Sequence, residues 1–404
     1  MGKSSTILLI DSLLAAAAFS LFIWLEAAGI ENRALVSLAA FYAFYRLVLF
    51  NKKALLFFGF FVGVFWFNWI GLSFRYVGME YAVPLVMVGL GIAYALIFGI
   101  LGFIRHYYVR AAALLIYFDL MTPFGFEWLK PEILLVNSFF GVGKIALFLI
   151  LASVVLFIFL EKRRYRAVAF LPLLLALDLG SREAPPPADI VLAGTEYSQD
   201  EKWDRANLSR IIDDNLAAID QAIEERKAAV VLPESVFPMY LNFAPPLVDA
   251  LKEKSRFITI VVGGLYSDGS RHFNSTYFFQ NGLMQVAHKV VLVPFGESSD
   301  FLPRWMGKWV NRIFFDDAED YHTAKEPTDF EIEGQKYRNA ICYEATVGRM
   351  YENAPKNMIA ITNNAWYYPS TEPDLQRVVI RYFARKHGVT VYHSVNKSKS
   401  EIIY

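Results

Sequence analysis

A multi-span α-helical membrane domain followed by an extracytoplasmic α/β sandwich is the fold class the sequence predicts, and three observations predict it. Hydrophobic residues make up 55% of the 404 positions and charged residues only 19%, whereas soluble domains are about half apolar and about a quarter charged. The charges are also uneven: 23 Asp, Glu, Lys and Arg side chains lie in residues 1–180 and 55 in residues 181–404. Finally, the pattern changes from long apolar runs to short strand-like runs alternating with amphipathic helices once residue 187 is passed. The division expected is therefore a membrane domain over 1–180, a linker over 181–187 and a soluble α/β domain over 188–404.

Apolar runs fall at 7–29, 34–50, 54–74, 82–104, 107–121, 143–160 and 167–179. A full crossing needs about 20 residues, so the second, fifth and seventh runs would have to tilt or borrow flanking residues. About seven crossings are predicted. Residues 7–30 are apolar for too long to be a signal-peptide core, and no small-residue cleavage site stands out, so the first run reads as a span. Alternate loops carry Lys3; Arg46, Lys52 and Lys53; Arg105 and Arg110; and Lys162, Arg163, Arg164 and Arg166. The opposite loops hold Arg33, Arg75 and Lys130. Cytoplasmic loops collect Lys and Arg, and ten against three places residues after 180 outside the cytoplasm.

SREAPPP (181–187) reads as a stiff linker because consecutive prolines favour extended chain. DIVLAGTEY reads as a buried strand, and residues 207–227 place Ile211, Ile212, Leu216, Ile219 and Ile223 on one helical face. AAVVLPES and FITIVVGGLY read as strands, and STYFFQ and LMQVAHKVVL flank Asn281-Gly282, a two-residue hairpin signal. YRNAICYE and NMIAITNNAW follow as strands, Pro373 opens a helix through Lys386 with Gly388 as its stop, and VTVYHS is the last strand. Two stretches do not fit this frame. FPMYLNFAPPL (237–247) is apolar but broken by prolines, and residues 298–322 carry Phe301, Leu302, Trp305, Met306, Trp309, Ile313, Phe314 and Phe315. Either could be a satellite core. In a domain tethered beside a bilayer, both are expected instead to be apolar lids that admit a long-chain substrate.

Zero formal net charge leaves no basic field of the kind that nucleic acid requires. One cysteine excludes an intramolecular disulfide and calls for an explanation in an exported domain. Singly, Glu234 suits a solvated turn, Lys289 an exposed strand and Cys342 an inert core. Each, however, ends an apolar strand, where a scaffold holds a side chain while the adjoining loop leaves it accessible. Together they make an acyl-transfer set. A carboxylate deprotonates the thiol, an ammonium stabilises thiolate and oxyanion, and the sulfur carries the acyl group.

VVLPESVFP, HKVVLVPFGE and NAICYEATV resemble, in order, the Glu, Lys and Cys motifs of the nitrilase superfamily. ITNNAWYYPSTEPDLQRVVIRYFARKHG, FNWIGLSF and FEWLKPEILLVNSFFG resemble segments of its membrane-embedded branch, the apolipoprotein N-acyltransferases. The resemblance implies a nitrilase-like αββα sandwich with Glu234 as base, Lys289 as oxyanion stabiliser and Cys342 as nucleophile. It also implies Glu297 as a second glutamate, Tyr343 and Glu344 as supports beside the nucleophile, and Trp203 on the substrate side. Trp305 and Trp309 are the lid residues expected to meet substrate. A phospholipid would donate the acyl chain, and the terminal amine of a diacylglyceryl-cysteine apolipoprotein would accept it. No metal or diffusible cofactor is implied. The expected setting is a monomer surrounded by lipid in a bacterial inner membrane, its catalytic domain in the periplasm. The family continues beyond the last strand with more sandwich and a final span, whereas this sequence reaches KSKSEIIY. Two alternatives use the same residues differently: a membrane-tethered amidase that hydrolyses a small amide, and a transporter or scaffold with an inactive nitrilase-like module.

Overall fold

The computed structural model describes residues 5–160, 163–180, 189–294, 297 and 321–404. The proposed linker and both lid tryptophans, Trp305 and Trp309, lie outside the described residues. The chain divides into two compact units, Met1–Arg182 with Pro369–Tyr382, and Glu183–Tyr368 with Phe383–Tyr404.

The first unit contains α1 (Ser5–Ala27), α2 (Arg33–Leu49), α3 (Lys52–Phe67), α4 (Val83–Leu101), α5 (Tyr107–Leu114), α6 (Tyr117–Leu120), α7 (Lys144–Phe159) and α8 (Leu171–Ala176). Where the sequence predicts seven crossings, three stretches among the described residues are long and apolar enough to cross a membrane: Ser5–Ala27, Lys52–Tyr76 and Glu80–Leu101. The run 107–121 divides into α5 and α6, and the run 167–179 divides between a 3-10 segment and α8, which has a proline in its first turn. Apolarity persists through these breaks, so composition does not reveal them. Phe19 packs edge-on to Phe58 and Phe98, with ring centroids 5.5 and 6.2 Å apart. Gly59 and Gly63 allow α3 and α4 to touch, since a Cβ would lie 2.4 Å from the Tyr94 carbonyl at the first and 2.7 Å from that of Leu90 at the second. Several of the loop cations gather at one end. Arg46 pairs with Asp11, Lys53 donates to Ser5, and buried Arg110 donates to the carbonyls of Val48 and Ile104 at 2.8 and 2.7 Å. Residues 369–382 group with this unit, and there Arg377 and Arg381 donate to Glu26 at 2.8 and 3.1 Å.

The second unit is a two-sheet sandwich. Its first sheet holds β1 (Ile190–Leu192), β2 (Ala229–Val231), β4 (Thr259–Ser267), β5 (His272–Gln280) and β6 (Leu283–His288), with β3 (Phe237–Tyr240) paired to β4. The second sheet runs in the order β11 (Glu401–Ile403), β10 (Thr390–Asn396), β9 (Asn357–Asn363), β8 (Gln335–Ile341), β7 (Asp329–Ile332). Strands β1, β2 and β4 are parallel, as are β8, β9 and β10. One core lies between the sheets and joins Val231, Val261 and Phe278 to Phe330, Ile341, Ile361 and Tyr392. A second core packs the other face of the first sheet against α10 (Leu208–Glu224) and α11 (Pro245–Lys254) through Ile219, Leu247 and Leu251. Helix α12 (Glu372–His387) belongs to the second unit from Phe383 onward, where Phe383 stacks on Tyr351 at 5.3 Å.

The amphipathic face read over 207–227 is the buried face of α10. Asn281 and Gly282 both take positive φ, 53° and 78°, as a primed hairpin turn requires. Two expectations are corrected. Residues 237–247 are not a lid, because Phe237, Leu241 and Leu247 are buried in the α10–α11 core, while Phe243, at 63% exposure, stands clear of it together with Pro245 and Pro246. The prolines break the apolar pattern because Pro245 opens α11. Strand β10 is not the last either, since Glu401–Ile403 forms an antiparallel edge with it. That strand is too short to read from periodicity. The turn between them holds Lys397 at φ 68°, where glycine is the residue without steric cost.

Candidate active site

The parallel strands of both sheets end on one side of the sandwich, and the predicted residues gather there. Glu234 follows β2, Cys342 follows β8, and Lys289 follows β6, which runs parallel to β4 because each is antiparallel to β5. Strands fixed by two cores can hold polar groups at their ends rigidly enough for chemistry.

The centre of the site is the Lys289 ammonium, fully buried, 2.7 Å from Glu297 and 3.9 Å from Glu234. Asn274 bridges the two carboxylates, donating to Glu234 at 2.7 Å and to Glu297 at 3.0 Å. The second oxygen of Glu234 accepts the main-chain N–H of Asn363 at 2.9 Å, which ties the end of β9 to the site. Burial pulls the Lys289 pKa down, but Glu297, Glu234, Cys342 and Glu344 outweigh it and hold the ammonium above the ordinary lysine range. The group is therefore a permanent cation, and Cys342 lies within its field.

Cys342 is partly buried against the inter-sheet core and adopts φ 55°. A non-glycine residue in that region carries strain, which is concentrated at functional turns. The turn is held by Glu344, whose carboxylate accepts N–H bonds from Ile341 at 2.8 Å and Val291 at 2.9 Å, and also from Val290. Burial raises the Glu344 pKa to about 7 against the opposing pull of Lys289 and these N–H groups. Tyr343 is buried beside it.

The main chain at Glu234 is equally constrained. Ser235 takes φ 46°, and Gly263 on β4 lies against the turn: a Cβ there would sit 2.4 Å from the Ser235 nitrogen and 2.6 Å from the Glu234 Cα. Lys202, on the short helix α9 (Gln199–Trp203), is 2% exposed and donates to the Glu234 carbonyl at 2.8 Å. Trp203, the next residue, is 44% exposed. Burial also raises the Tyr321 pKa, assisted by Glu297, Tyr240 and Glu234, so this phenol belongs to the same neighbourhood.

Glu234, Lys289, Glu297, Cys342 and Glu344 are thus brought together, and Trp203 lies on the element that contributes Lys202. Sequence reasoning missed Lys202, Asn274, Gly263, Asn363 and Tyr321. Gly263 carried a signal, a glycine pair inside a strand. Asn274 and Lys202 carried none, because their partners lie 40 and 32 residues away.

Residues 6–179 match the family model of the apolipoprotein N-acyltransferase integral membrane domain. The chain is similar to the apolipoprotein N-acyltransferase of Wolinella succinogenes, 41% identical over 396 residues that cover 97% of this chain and 95% of that protein. It is also similar to those of Helicobacter hepaticus, at 36% identity covering 91% and 93%, and Helicobacter pylori, at 35% covering 85% and 82%. A membrane-domain match and identity sustained across both units leave one assignment: the chain belongs to the apolipoprotein N-acyltransferase family.

Proposed function

We propose that the chain transfers an acyl group from a phospholipid to the N-terminal amine of a diacylglyceryl-cysteine apolipoprotein through a thioester on Cys342. Glu234 takes the thiol proton, and the sulfur attacks the phospholipid ester carbonyl. The resulting oxyanion is stabilised by Lys289, as preorganised charge does in a dry site. The intermediate then expels the lysophospholipid alkoxide, which recovers the proton from Glu234. In the second half-reaction the acceptor amine attacks the thioester, Glu234 removes its proton, and the Cys342 thiolate leaves. Glu297 and Asn274 orient Lys289 and Glu234, Glu344 and Tyr343 support the nucleophile turn, and Trp203, Trp305 and Trp309 meet the substrate. The enzyme acts as a monomer in a bacterial inner membrane with this site on the periplasmic side.

The observation that carries the reading is the buried Lys289 ammonium between the carboxylates of Glu234 and Glu297, with its field reaching Cys342. The sole cysteine makes the test clean. Protein mixed with phospholipid alone should gain the mass of one acyl chain and keep it, and a diacylglyceryl-cysteine peptide should discharge that adduct and become N-acylated. Cys342→Ala should form no adduct. Steady release of free fatty acid with no lasting adduct and an unmodified peptide would make the chain a hydrolase and sink the proposal.

A further inference from the structure

Glu234 and Cys342 stand on different sheets: the first follows β2, the second follows β8. Their separation is set by how the two sheets register at this end of the sandwich. Apolar packing between sheets is non-directional, whereas proton transfer needs its partners within hydrogen-bond reach. The catalytic end carries a directional link as well. The Ala193 N–H still donates to Val231 of the first sheet at 2.9 Å, but the Thr195 N–H donates to Val395 of the second at 3.2 Å, so the chain crosses between sheets there. Thr195 bridges in parallel to Asn396, the last residue of β10, which is in register with Asn363, the last residue of β9. The Asn396 side chain, 1% exposed, meets four partners. Its nitrogen donates to the Asn363 side-chain oxygen at 2.7 Å and the Tyr197 carbonyl at 2.9 Å. Its oxygen accepts the Thr195 hydroxyl at 2.9 Å and the Tyr197 N–H at 3.0 Å. A carboxamide offers both donors and both lone pairs. An aspartate has the same shape without the donors, and buried acceptors left unmet are costly.

We infer that Asn396 and Asn363 are positioning residues: together they clasp the two sheets and hold the base Glu234 at a fixed place relative to the nucleophile Cys342. The inference rests on the acyl-transfer reading above and extends it to the end of β10, far along the chain from all three catalytic positions. The route is short and directional throughout. Asn396 fixes the Asn363 side chain, whose nitrogen donates to Gln199 of α9 at 3.1 Å. With its side chain held from β10 and from α9, Asn363 presents its main-chain N–H to the Glu234 carboxylate at 2.9 Å. That bond runs from the second sheet to the residue that ends β2 of the first. All the members are buried or half-buried, so water does not compete freely for their hydrogen bonds. A satisfied buried network of this kind rigidifies what it touches, and here it touches the catalytic base.

The test uses the full-length protein in detergent and follows two rate constants. One is alkylation of Cys342 by iodoacetamide, which requires thiolate; the other is adduct formation at saturating phospholipid. Asn396→Ala removes the clasp without adding charge. Asn363→Ala keeps the N–H that Glu234 accepts and removes only the side chain that holds it, so it decides the matter if Asn396→Ala does not fold. Each variant should slow both constants about tenfold or more, since small displacements of a catalytic group are costly. The phospholipid concentration for half-saturation should stay near that of the parent. The double variant should lose no more than the worse single variant, because both act through one contact. A merely structural clasp would lower the thermal midpoint and the fraction of protein that reacts, with both rate constants unchanged in that fraction, and this result overturns the inference. Glu234→Gln, run in parallel, separates the two claims. If it slows alkylation while the asparagine variants do not, only the clasp falls. If all of them slow alkylation but the parent forms no adduct with phospholipid, the clasp stands and the acyl-transfer reading falls.

Discussion

The ammonium of Lys289 lies 2.7 Å from a carboxylate oxygen of Glu297, and both groups are withdrawn from solvent. The pair holds a permanent positive charge beside Glu234 and Cys342 without requiring either to supply the balancing anion. Removing one member should therefore affect folding and chemistry together. Lys289→Met should reduce acyl transfer by about a hundredfold or more. It should also cost about 3–5 kcal/mol of stability, because it strands buried carboxylates. Glu234→Gln should stop both half-reactions with a smaller stability loss. Transfer assays beside thermal unfolding of each purified variant check both, and near-parental transfer by a folded variant removes that residue from its role.

Glu344 makes stability depend on pH in a direction opposite to the usual carboxylate. Its pKa in the folded protein is about 7 against an ordinary value of 4.5. The folded state thus binds more protons than the unfolded state between those values, and stability falls as pH rises through that window. The contribution is on the order of 3 kcal/mol. Thermal midpoints measured from about pH 5 to about pH 8 should decline for the parent protein. Glu344→Gln should flatten the decline. A parent protein that grows steadily more stable over this range contradicts the assignment.

Gly263 should tolerate no side chain. A Cβ there meets main-chain atoms of Pro233, Glu234 and Ser235 at 2.7, 2.6 and 2.4 Å, and main chain cannot rotate away. Gly263→Ala should cost about 1–3 kcal/mol and reduce adduct formation by displacing Glu234. A variant with parental thermal midpoint and parental adduct yield would show that the turn is softer than its geometry.

Lys397 offers a gain. Its φ of 68° is one that a side chain disfavours by about 1–2 kcal/mol, and glycine would relieve this at some cost in chain entropy. Its links to Glu196 at 3.8 Å and to the Tyr368 ring are made to exposed partners and are weak. Lys397→Gly should raise the thermal midpoint without altering transfer, and a lowered midpoint would show that those links matter more than the backbone.

Orientation has its own test. Ten of thirteen loop cations fall in alternate loops, and positive loops stay in the cytoplasm. A reporter active only in the cytoplasm, fused after Tyr404, should be silent, and activity there would reverse the orientation of the catalytic unit.

Much of this molecule was legible in one dimension. The helical and α/β halves, the Asn281-Gly282 turn, the α10 face and the strand-terminal positions of Glu234, Lys289 and Cys342 all follow from composition and local period, because apolar burial and turn geometry impose themselves on neighbouring residues. Other features became visible only in three dimensions. Residues 237–247 read as a lid because prolines interrupt their pattern, yet Phe237, Leu241 and Leu247 fill a core made by α10 and α11. The breaks between α5 and α6 left no trace in hydropathy. Lys202 and Asn274 read as ordinary polar residues, and only the folding of α9 and β5 against the Glu234 turn brings them into the site. The physical reason is the same for each: a hydrogen bond or an ion pair between residues far apart in sequence leaves no periodic signature, since its partner is chosen by the packing of two sheets and not by the neighbours along the chain.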